Sequence, residues 1–172
     1  MIDLWLVRHG ETDWNRELRL QGHLDAPLNA LGLQQAQRLG MGLAAQGPRP
    51  LLASDLLRTR QTAEPLAGQW QTPALPDSLW REQSFGVIEG LTLQEVQERH
   101  PDVVAGWRSH DPDFAPEGGE SRRQFHARVM QAGQALLDRC SQEGWQSPVV
   151  VSHGGVLDMV YRSATGQALG GP

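Results

Sequence analysis

The chain has no lysine, because all fifteen of its basic residues are arginines. Any site that binds an anion must therefore use guanidinium groups, imidazoles or backbone N–H groups. The single cysteine, Cys140, excludes an internal disulfide. No apolar run approaches the ~18 residues of a membrane-spanning helix, so no membrane partner is expected. The first residues lack the basic segment of a signal peptide, and we therefore expect a protein of the reducing cytoplasm.

The composition predicts one folded domain over residues 1–172. Hydrophobic residues make up 39% of the chain and charged residues 20%, which is typical of globular rather than disordered proteins. A chain near ~150 residues buries enough surface for an ordinary core. The net charge of −5 disfavours a general nucleic-acid or anionic-membrane surface, although a local basic pocket remains compatible with it.

Apolar runs and helical periodicity alternate along the chain. Strands are predicted over residues 2–7, 51–53 and 148–152. Helices are predicted over residues 29–46, 56–69, 93–99, 102–107, 120–142 and 156–164. Alternating strands and helices favour an α/β protein with three layers, α/β/α, around a mostly parallel central sheet.

Four local features of the helices carry predictions of their own. Ser54 and Asp55 are typical N-cap residues and are expected to cap the helix over 56–69. Pro65 is expected to kink or shorten that helix. Glu120 is expected in the first turn of the long helix, where the helix dipole favours a carboxylate. Cys140 falls on the buried stripe of the same helix and is expected in the core.

Two of the predicted strands end in a histidine followed by a glycine. Arg8-His9-Gly10 follows the first strand, and Ser152-His153-Gly154 follows the last. The carboxyl ends of parallel strands meet at one edge of a sheet, where sites in such folds lie, so His9 and His153 are expected to share a site. The remaining histidines are expected to be ordinary surface or core residues: His23, His100, His110 and His126.

Two arginines would add positive charge at the same edge. Arg8 follows an apolar run and is expected to be at least partly buried, where an unpaired cation is costly. Arg58 lies one turn into the helix that follows the strand over 51–53. Two arginines and two histidines favour an anion site, most simply for a phosphoryl group. A structural carboxylate beside Arg8 is the alternative interpretation.

The segment Leu6-Val7-Arg8-His9-Gly10-Glu11-Thr12-Asp13-Trp14-Asn15 resembles the N-terminal signature of the histidine phosphatases, the phosphoglycerate-mutase-like superfamily. The resemblance continues in order through further blocks at residues 21–22, 25–29, 53–63, 81–86, 89–90, 118–121 and 151–155. It therefore covers nearly the whole chain, and it implies the phosphoglycerate-mutase-like fold.

The resemblance also implies roles for individual residues. His9 would be the nucleophile that forms a phosphohistidine. Nonbridging oxygens would be held by Arg8, Arg58 and His153, with Asn15 as an amide donor. The remaining substrate contacts would come from Gln21, Gly22 and the backbone N–H of Gly154, and Ser54 would help to position the phosphate-binding groups.

Glu82 matches the proton donor of the family. A carboxylic acid at the ester oxygen would protonate the leaving group and later accept a proton from water. A solvated charge in a loop is the alternative for Glu82, and Glu11, Glu89 and Glu120 are alternative acids. No cofactor or metal is implied, because the chain lacks HxH, HExxH and CxxC spacings and Arg8 would repel a dication beside His9.

Within the family, the sequence favours hydrolysis over phosphoryl exchange. The mutases carry an insertion after the glutamate with a lysine and an arginine pair, whereas this chain has no lysine and its Arg122-Arg123 pair lies elsewhere. Gly155 stands where mutases typically have asparagine. We therefore expect a small phosphatase of the histidine acid phosphatase type, acting on a small phosphorylated metabolite.

Two other functions stay open at this point. One is a cofactor-dependent phosphoglycerate mutase, and the other is a protein that binds a phosphorylated ligand without turnover. Residues 167–172 have the composition of a turn, after which members of the family usually add a further strand or two.

Overall fold

A computed structural model describes residues 1–169, so the end of the turn predicted over 167–172 lies outside the described residues. The strands are β1 (Trp5–Arg8), β2 (Leu51–Ala53), β3 (Leu75–Pro76) and β4 (Val149–Ser152). The helices are α1 (Asp13–Arg16), α2 (Ala30–Ala44), α3 (Leu57–Trp70), α4 (Leu93–Arg99), α5 (Pro101–Arg108), α6 (Arg122–Glu143) and α7 (Gly154–Thr165). Two short 3₁₀ helices, Ser78–Trp80 and Gly86–Ile88, lie between β3 and α4.

The strands form one parallel sheet in the order β1-β4-β2-β3. Val150 of β4 lies opposite Leu6 on one side and Leu52 on the other. The last residue of β1, Arg8, lies opposite Ser152, the last residue of β4. The two strands that end in His-Gly are therefore neighbours in register, and their histidines leave the sheet side by side.

Helices cover both faces of the sheet. Leu52 and Val150 pack against Phe125, Val129 and other residues of α6 and α7. On the opposite face, alternate strand residues pack against α3, since side chains along a strand point to opposite faces; these residues are Leu51, Ala53, Val149 and Val151. The predicted three-layer α/β fold is confirmed, and so is the burial of Cys140 in the core.

The start of α3 differs from the sequence prediction. The helix begins at Leu57, whose N–H donates to Asp25 Oδ1 at 2.5 Å. Ser54 and Asp55 do not cap it, because the Ser54 hydroxyl bonds His153 and the Asp55 carboxylate bonds Arg81. The expected N-cap is therefore wrong, since both side chains have stronger partners elsewhere in the fold.

The length of α3 at Pro65 and the position of Glu120 give two further corrections. The helix α3 is not shortened at Pro65 but continues to Trp70, because its buried face packs on the sheet and on α2. Glu120 precedes α6 rather than lying in its first turn, and Ser121 is the N-cap. Among residues 1–169, no helix combines the length and apolarity needed to cross a membrane.

Candidate active site

The two histidines that follow β1 and β4 lie in contact range. The ring centroids of His9 and His153 are 5.3 Å apart, with the planes inclined by 61°. The backbone N–H of His9 donates to the carbonyl of Ser152 at 2.9 Å, which extends the sheet pairing by one residue. Both side chains are buried. Parallel strand pairing therefore brings together two residues that are 144 positions apart in the chain.

The surroundings of His9 keep its imidazole neutral. Burial lowers the pKa of His9 to about 4. The hydrogen bond to the Gly10 carbonyl opposes this effect, and the positive charges of Arg58 and Arg8 lower the pKa further. The Nδ1 atom lies 2.7 Å from the Gly10 carbonyl oxygen, which only accepts, so Nδ1 carries the proton. The Nε2 atom then holds the free lone pair that a nucleophile needs.

Arg58 is a buried cation without a neutralising hydrogen-bond partner. Its Nη1 donates to the carbonyl of Leu24 at 2.9 Å and its Nη2 to that of Gly22 at 2.8 Å, while its Nε has no partner. Burial lowers the pKa of Arg58 to about 10, although Glu82 and other carboxylates oppose the effect. The group is still charged at neutral pH, so the pocket attracts an anion.

His153 is held by the hydroxyl of Ser54. The Ser54 Oγ atom lies 2.9 Å from His153 Nε2 and accepts from the N–H of Leu56 at 3.4 Å. Within residues 1–169 the buried hydroxyl has no other acceptor, so it donates to Nε2, and the proton of the neutral ring lies on Nδ1. That Nδ1 atom is buried and has no partner. Burial, together with the charge of Arg58, lowers the pKa of His153 far below its usual value, so the ring is neutral.

Arg8 is exposed, and the expectation that it is at least partly buried is wrong. It is the last residue of the edge strand β1, and with His9 and Asn15 it lines a cavity of about 270 Å³. Across residues 1–169 its guanidinium has no ion pair, which removes the structural carboxylate considered as the alternative. A Cβ on Gly154 would come 3.5 Å from Arg8 Nε, an ordinary contact distance, so the guanidinium lies beside the start of α7.

The loop after α1 supplies the remaining predicted residues. The side-chain oxygen of Asn15 accepts from the N–H of Thr12 at 3.0 Å, which leaves the Asn15 amide nitrogen as the donor toward the cavity. Gln21 is buried and accepts from the Thr12 hydroxyl at 3.0 Å. Gly22 has a φ of +49°, and a Cβ there would run into the carboxylate of Glu89. A side chain at position 22 is therefore excluded, and the Gly22 carbonyl stays close to Arg58.

Glu82 lies between the start of α7 and Arg58. One carboxylate oxygen accepts from the N–H of Gln83 at 2.9 Å and the other from the N–H of Gly155 at 3.1 Å. A Cβ on Gly155 would collide with the carboxylate, so only glycine at position 155 leaves it in place. The charge of Glu82 acts on Arg58, which brings this carboxylate into the same electrostatic site as the buried guanidinium.

The other carboxylates considered as acids have structural partners. Glu11 accepts from the Asn29 amide at 2.9 Å. Glu89 accepts from the N–H groups of His23 and Phe85, at 3.0 and 2.9 Å. These bonds hold loops in place.

Glu120 is also held as an anion. It accepts from Arg128 at 2.6 Å and from the Ser84 N–H at 2.9 Å. Burial raises the pKa of Glu120, but these bonds outweigh it and the pKa lies below its usual value. Such a group remains ionised and is a poor proton donor.

Two residues near Glu82 escaped the sequence analysis. Arg128 of α6 donates at 2.9 Å to the carbonyls of Leu79, Arg81 and Glu82. The ring of His23, which was expected to be an ordinary residue, lies 2.8 Å from the Glu82 carbonyl oxygen. Arg128 could have been found because it directly precedes Val129, which belongs to the buried stripe of the amphipathic helix α6. Nothing in the sequence distinguishes His23 from the other histidines.

The residue types that ligate metal ions are not grouped as a metal site in the described part of the chain. Within residues 1–169, no group of three or more histidine, cysteine, aspartate and glutamate side chains could hold a metal ion.

Comparison with known proteins connects this geometry to one family. The sequence model of the histidine phosphatase superfamily (branch 1) matches residues 4–172. A phosphoglycerate mutase-like protein 4 of Arabidopsis thaliana is 38% identical over 165 residues, which cover 94% of this chain and 70% of that protein.

Solved structures of phosphatases have the same fold. A mycobacterial glucosyl-3-phosphoglycerate phosphatase superposes with a TM-score of 0.83 at 31% identity, over 96% of this chain and 81% of that one. The alpha-ribazole phosphatase of Shigella flexneri superposes with a TM-score of 0.87 at 29% identity, again over 96% and 81% of the two chains.

Proposed function

Because the chain belongs to the histidine phosphatase superfamily, we propose that it hydrolyses small phosphorylated metabolites through a phosphohistidine on His9. One observation carries the proposal: Arg58 Nε and His153 Nδ1 are buried donors without partners, in the same site as a neutral imidazole. Buried N–H groups without acceptors are costly, and the nonbridging oxygens of a phosphoryl group would supply the missing acceptors.

The first chemical step transfers the phosphoryl group to the enzyme. The lone pair of His9 Nε2 attacks phosphorus and forms an N–P bond while the ester P–O bond breaks. The electron pair of that bond goes to the leaving oxygen, which takes a proton from Glu82. Arg8, Arg58 and His153 stabilise the charge on the nonbridging oxygens.

The second step restores the free enzyme. A water molecule attacks phosphorus, the N–P bond breaks, and its electron pair returns to His9 Nε2. The ionised Glu82 accepts the proton of that water and becomes ready for the next ester, while inorganic phosphate leaves. In this scheme Asn15, Gln21, Gly22 and Gly154 contact the substrate rather than move protons.

A contrast with the mutase alternative supports hydrolysis. Arg122 lies 3.6 Å from the carboxylate of Asp158, and Arg123 lies 2.6 Å from that of Asp113. Both arginines are thus paired with carboxylates, whereas a mutase needs cations to clamp the second anionic end of its substrate. The mutase remains the second candidate because relatives such as the Arabidopsis protein carry mutase-like names.

The proposal also covers the domain organisation, the cellular location and the class of phosphatase. We propose that residues 1–172 act as one domain, in the cytoplasm, without a metal, in the manner of the histidine acid phosphatases. The substrates of the neighbouring phosphatases, glucosyl-3-phosphoglycerate and alpha-ribazole phosphate, suggest the class of small phosphomonoester to test first.

Turnover and trapping together test the proposal. The wild type is expected to hydrolyse p-nitrophenyl phosphate in the presence of EDTA and to give an acid-labile, base-stable phosphoenzyme after a rapid quench. His9→Ala should lose both the label and turnover, whereas His126→Ala on α6, outside the site, should keep both.

Each alternative has its own outcome. Loss of activity with EDTA and rescue by a dication would indicate a metal enzyme, and label retained in His9→Ala would exclude His9 as nucleophile. Isomerisation of phosphoglycerate faster than phosphate release would indicate a mutase. Binding of phosphate esters without turnover would indicate a non-catalytic ligand-binding protein.

A further inference from the structure

A second cavity, of about 250 Å³, lies between the loop after α5 and the helices α6 and α7. We call it the aromatic pocket, because its walls include the rings of Trp107, Phe114 and Phe125. The polar residues of its lining are Gln83, His110, Asp111, Arg122 and Asp158. Its volume is below the roughly 300–1,000 Å³ of most ligand pockets, so it suits a group about the size of one ring.

The aromatic pocket borders the Glu82 carboxylate. Gly155 forms part of its wall, and a Cβ on Gly155 would meet both the Glu82 carboxylate and, at 3.1 Å, the ring of Phe125. The carboxylate and the ring therefore approach each other across Gly155. An acid must lie within roughly 2.6–3.2 Å of the ester oxygen that it protonates. The Glu82 carboxylate thus adjoins both the wall of the aromatic pocket at Gly155 and the buried charge of Arg58.

The charged groups around the aromatic pocket are of both signs. Asp158 Oδ2 lies 3.6 Å from Arg122 Nη2 and 2.9 Å from Arg162 Nε, so two guanidinium groups share this carboxylate. Asp111 at the wall adds a second carboxylate. A second anionic group on the substrate would have to displace these partners, whereas a neutral alcohol with a ring face gains contact with three aromatic side chains.

From this juxtaposition we propose that the aromatic pocket binds the leaving alcohol, and that the preferred substrates are phosphomonoesters of neutral, ring-bearing primary alcohols. The proposal rests on the proposed function, because it needs Glu82 at the ester oxygen. Trp107 and Phe114 are then residues that determine specificity.

The position of the Phe114 ring is itself set by a glycine. A Cβ on Gly106 of α5 would run into that ring, so the ring lies against the helix backbone at this point. Gly106→Ala must push the ring away from α5 without removing any side chain of the pocket. This gives a second way to alter the pocket if Phe114→Ala fails to fold.

A set of three esters tests the preference in the wild type. Methyl, benzyl and 4-carboxybenzyl phosphate have alkoxide leaving groups, but only the second and third carry a ring and only the third adds a charge. We expect kcat/KM for benzyl phosphate to exceed that for methyl phosphate roughly tenfold or more, since one well-packed group is worth about 10- to 200-fold. The carboxybenzyl ester should lose most of this gain.

Variants test the residues. Phe114→Ala, Trp107→Ala and Gly106→Ala should each lower the benzyl-to-methyl ratio of kcat/KM about tenfold, mainly through KM. Trp145→Ala is the matched control, because Trp145 is also a half-buried tryptophan but packs on the core beside α6, away from the aromatic pocket. It should keep the wild-type ratio. A ratio near one in the wild type, or a ratio unchanged in all three pocket variants, would overturn the proposal.

Binding separates a failure of this proposal from a failure of the proposed function. Benzylphosphonate should compete with inorganic phosphate about tenfold better than methylphosphonate, a comparison that needs no turnover. Hydrolysis of all three esters at equal rates, with equal binding of the two phosphonates, would overturn the pocket proposal alone. Absence of hydrolysis for every ester would overturn the proposed function and, with it, the assignment of the leaving alcohol.

Discussion

The phosphoryl end of the site and its acid end are built in different ways. At the phosphoryl end, Arg8 is the last residue of β1, His9 and His153 follow two paired strands, and Arg58 lies in the first turn of α3. At the acid end, Glu82 belongs to an irregular segment, residues 81–85, between two 3₁₀ helices. Regular backbone hydrogen bonds position the first group, whereas Arg128 of α6 and His23 of a distant loop hold the backbone around the second.

The two ends also differ in how far they are buried. Apart from the exposed Arg8, the phosphoryl end is buried, so two neutral histidines and the Arg58 cation lie together in the folded state. The acid end is half-exposed, and the carbonyls around Glu82 are held by Arg128 and His23. We therefore expect changes at the phosphoryl end to affect all esters alike, and changes at the acid end to depend on the leaving group.

The largest expected effect separates the two ends through Glu82. Glu82→Gln removes the proton donor but leaves the anion-binding groups, so kcat for an alkyl phosphate should fall about 10²- to 10⁴-fold. p-Nitrophenyl phosphate has a leaving group that barely needs a proton, and its kcat should fall only a few-fold. Steady-state kinetics on both esters measures this; equal losses would show that Glu82 is not the acid and that Glu11 or Glu89 should be tested next.

Burial of neutral His9 should appear in the pH dependence of stability. The folded pKa of about 4 lies below the unfolded value near 6.5, so the unfolded state binds more protons between these pH values. The contribution of His9 is complete above pH 6.5 and is lost as the pH falls toward 4, by about 3 kcal/mol in the free energy of unfolding. Urea unfolding between pH 7 and 4 measures it.

A variant isolates this contribution from that of other groups. His9→Gln should lose less stability than the wild type over the same pH range, whereas His126→Gln should follow the wild type. Identical pH profiles for His9→Gln and the wild type would mean that His9 is not held neutral by burial.

Arg58→Lys tests the phosphoryl end with the charge retained. Lysine loses the forked guanidinium geometry, and hydrogen bonds to charged groups are worth roughly 1.5–3 kcal/mol. We expect kcat/KM to fall about 10- to 100-fold, by the same factor for alkyl and aryl phosphates. Arg60→Lys, an exposed position on the same helix, is the control and should behave as wild type. A loss confined to alkyl esters would instead connect Arg58 with the acid end.

The smallest expected effect concerns Arg128. Arg128→Lys keeps the charge beside Glu120 but loses several of the bonds to the carbonyls around Glu82. A displaced acid should lower kcat for alkyl phosphates about tenfold and leave p-nitrophenyl phosphate nearly unchanged. Arg139→Lys, on the exposed side of the same helix in an ion pair with Glu143, is the matched control. Equal losses on both esters would indicate a general structural role for Arg128.

Sequence patterns were sufficient to predict most of the fold and most of the phosphoryl end. The His-Gly ends of β1 and β4 could be found because strand alternation and a following glycine are local signals, and parallel pairing alone then makes them neighbours. Arg58 followed from the same logic. The exposure of Arg8 could not be predicted, because the sequence does not say that β1 is an edge strand of the sheet.

The acid end depended on tertiary structure. Glu82, Gly155, Arg128 and His23 are far apart in the chain, and no periodicity connects them. Their arrangement comes from side-chain bonds across an irregular segment, which have no short-range signature. The same holds for the start of α3, where Asp25 from a distant loop takes the place of the expected Ser54 cap.

The division between the two sources of information has a physical reason. Composition, strand runs, helix stripes and the two His-Gly ends are set by interactions between near neighbours, and these determined an α/β/α fold with a positively charged site at the strand ends. The order β1-β4-β2-β3, the contacts that hold Glu82 and the aromatic pocket near it depend on which distant surfaces pack together. Only the folded chain decides those contacts, because each is a small free-energy difference between many possible long-range partners.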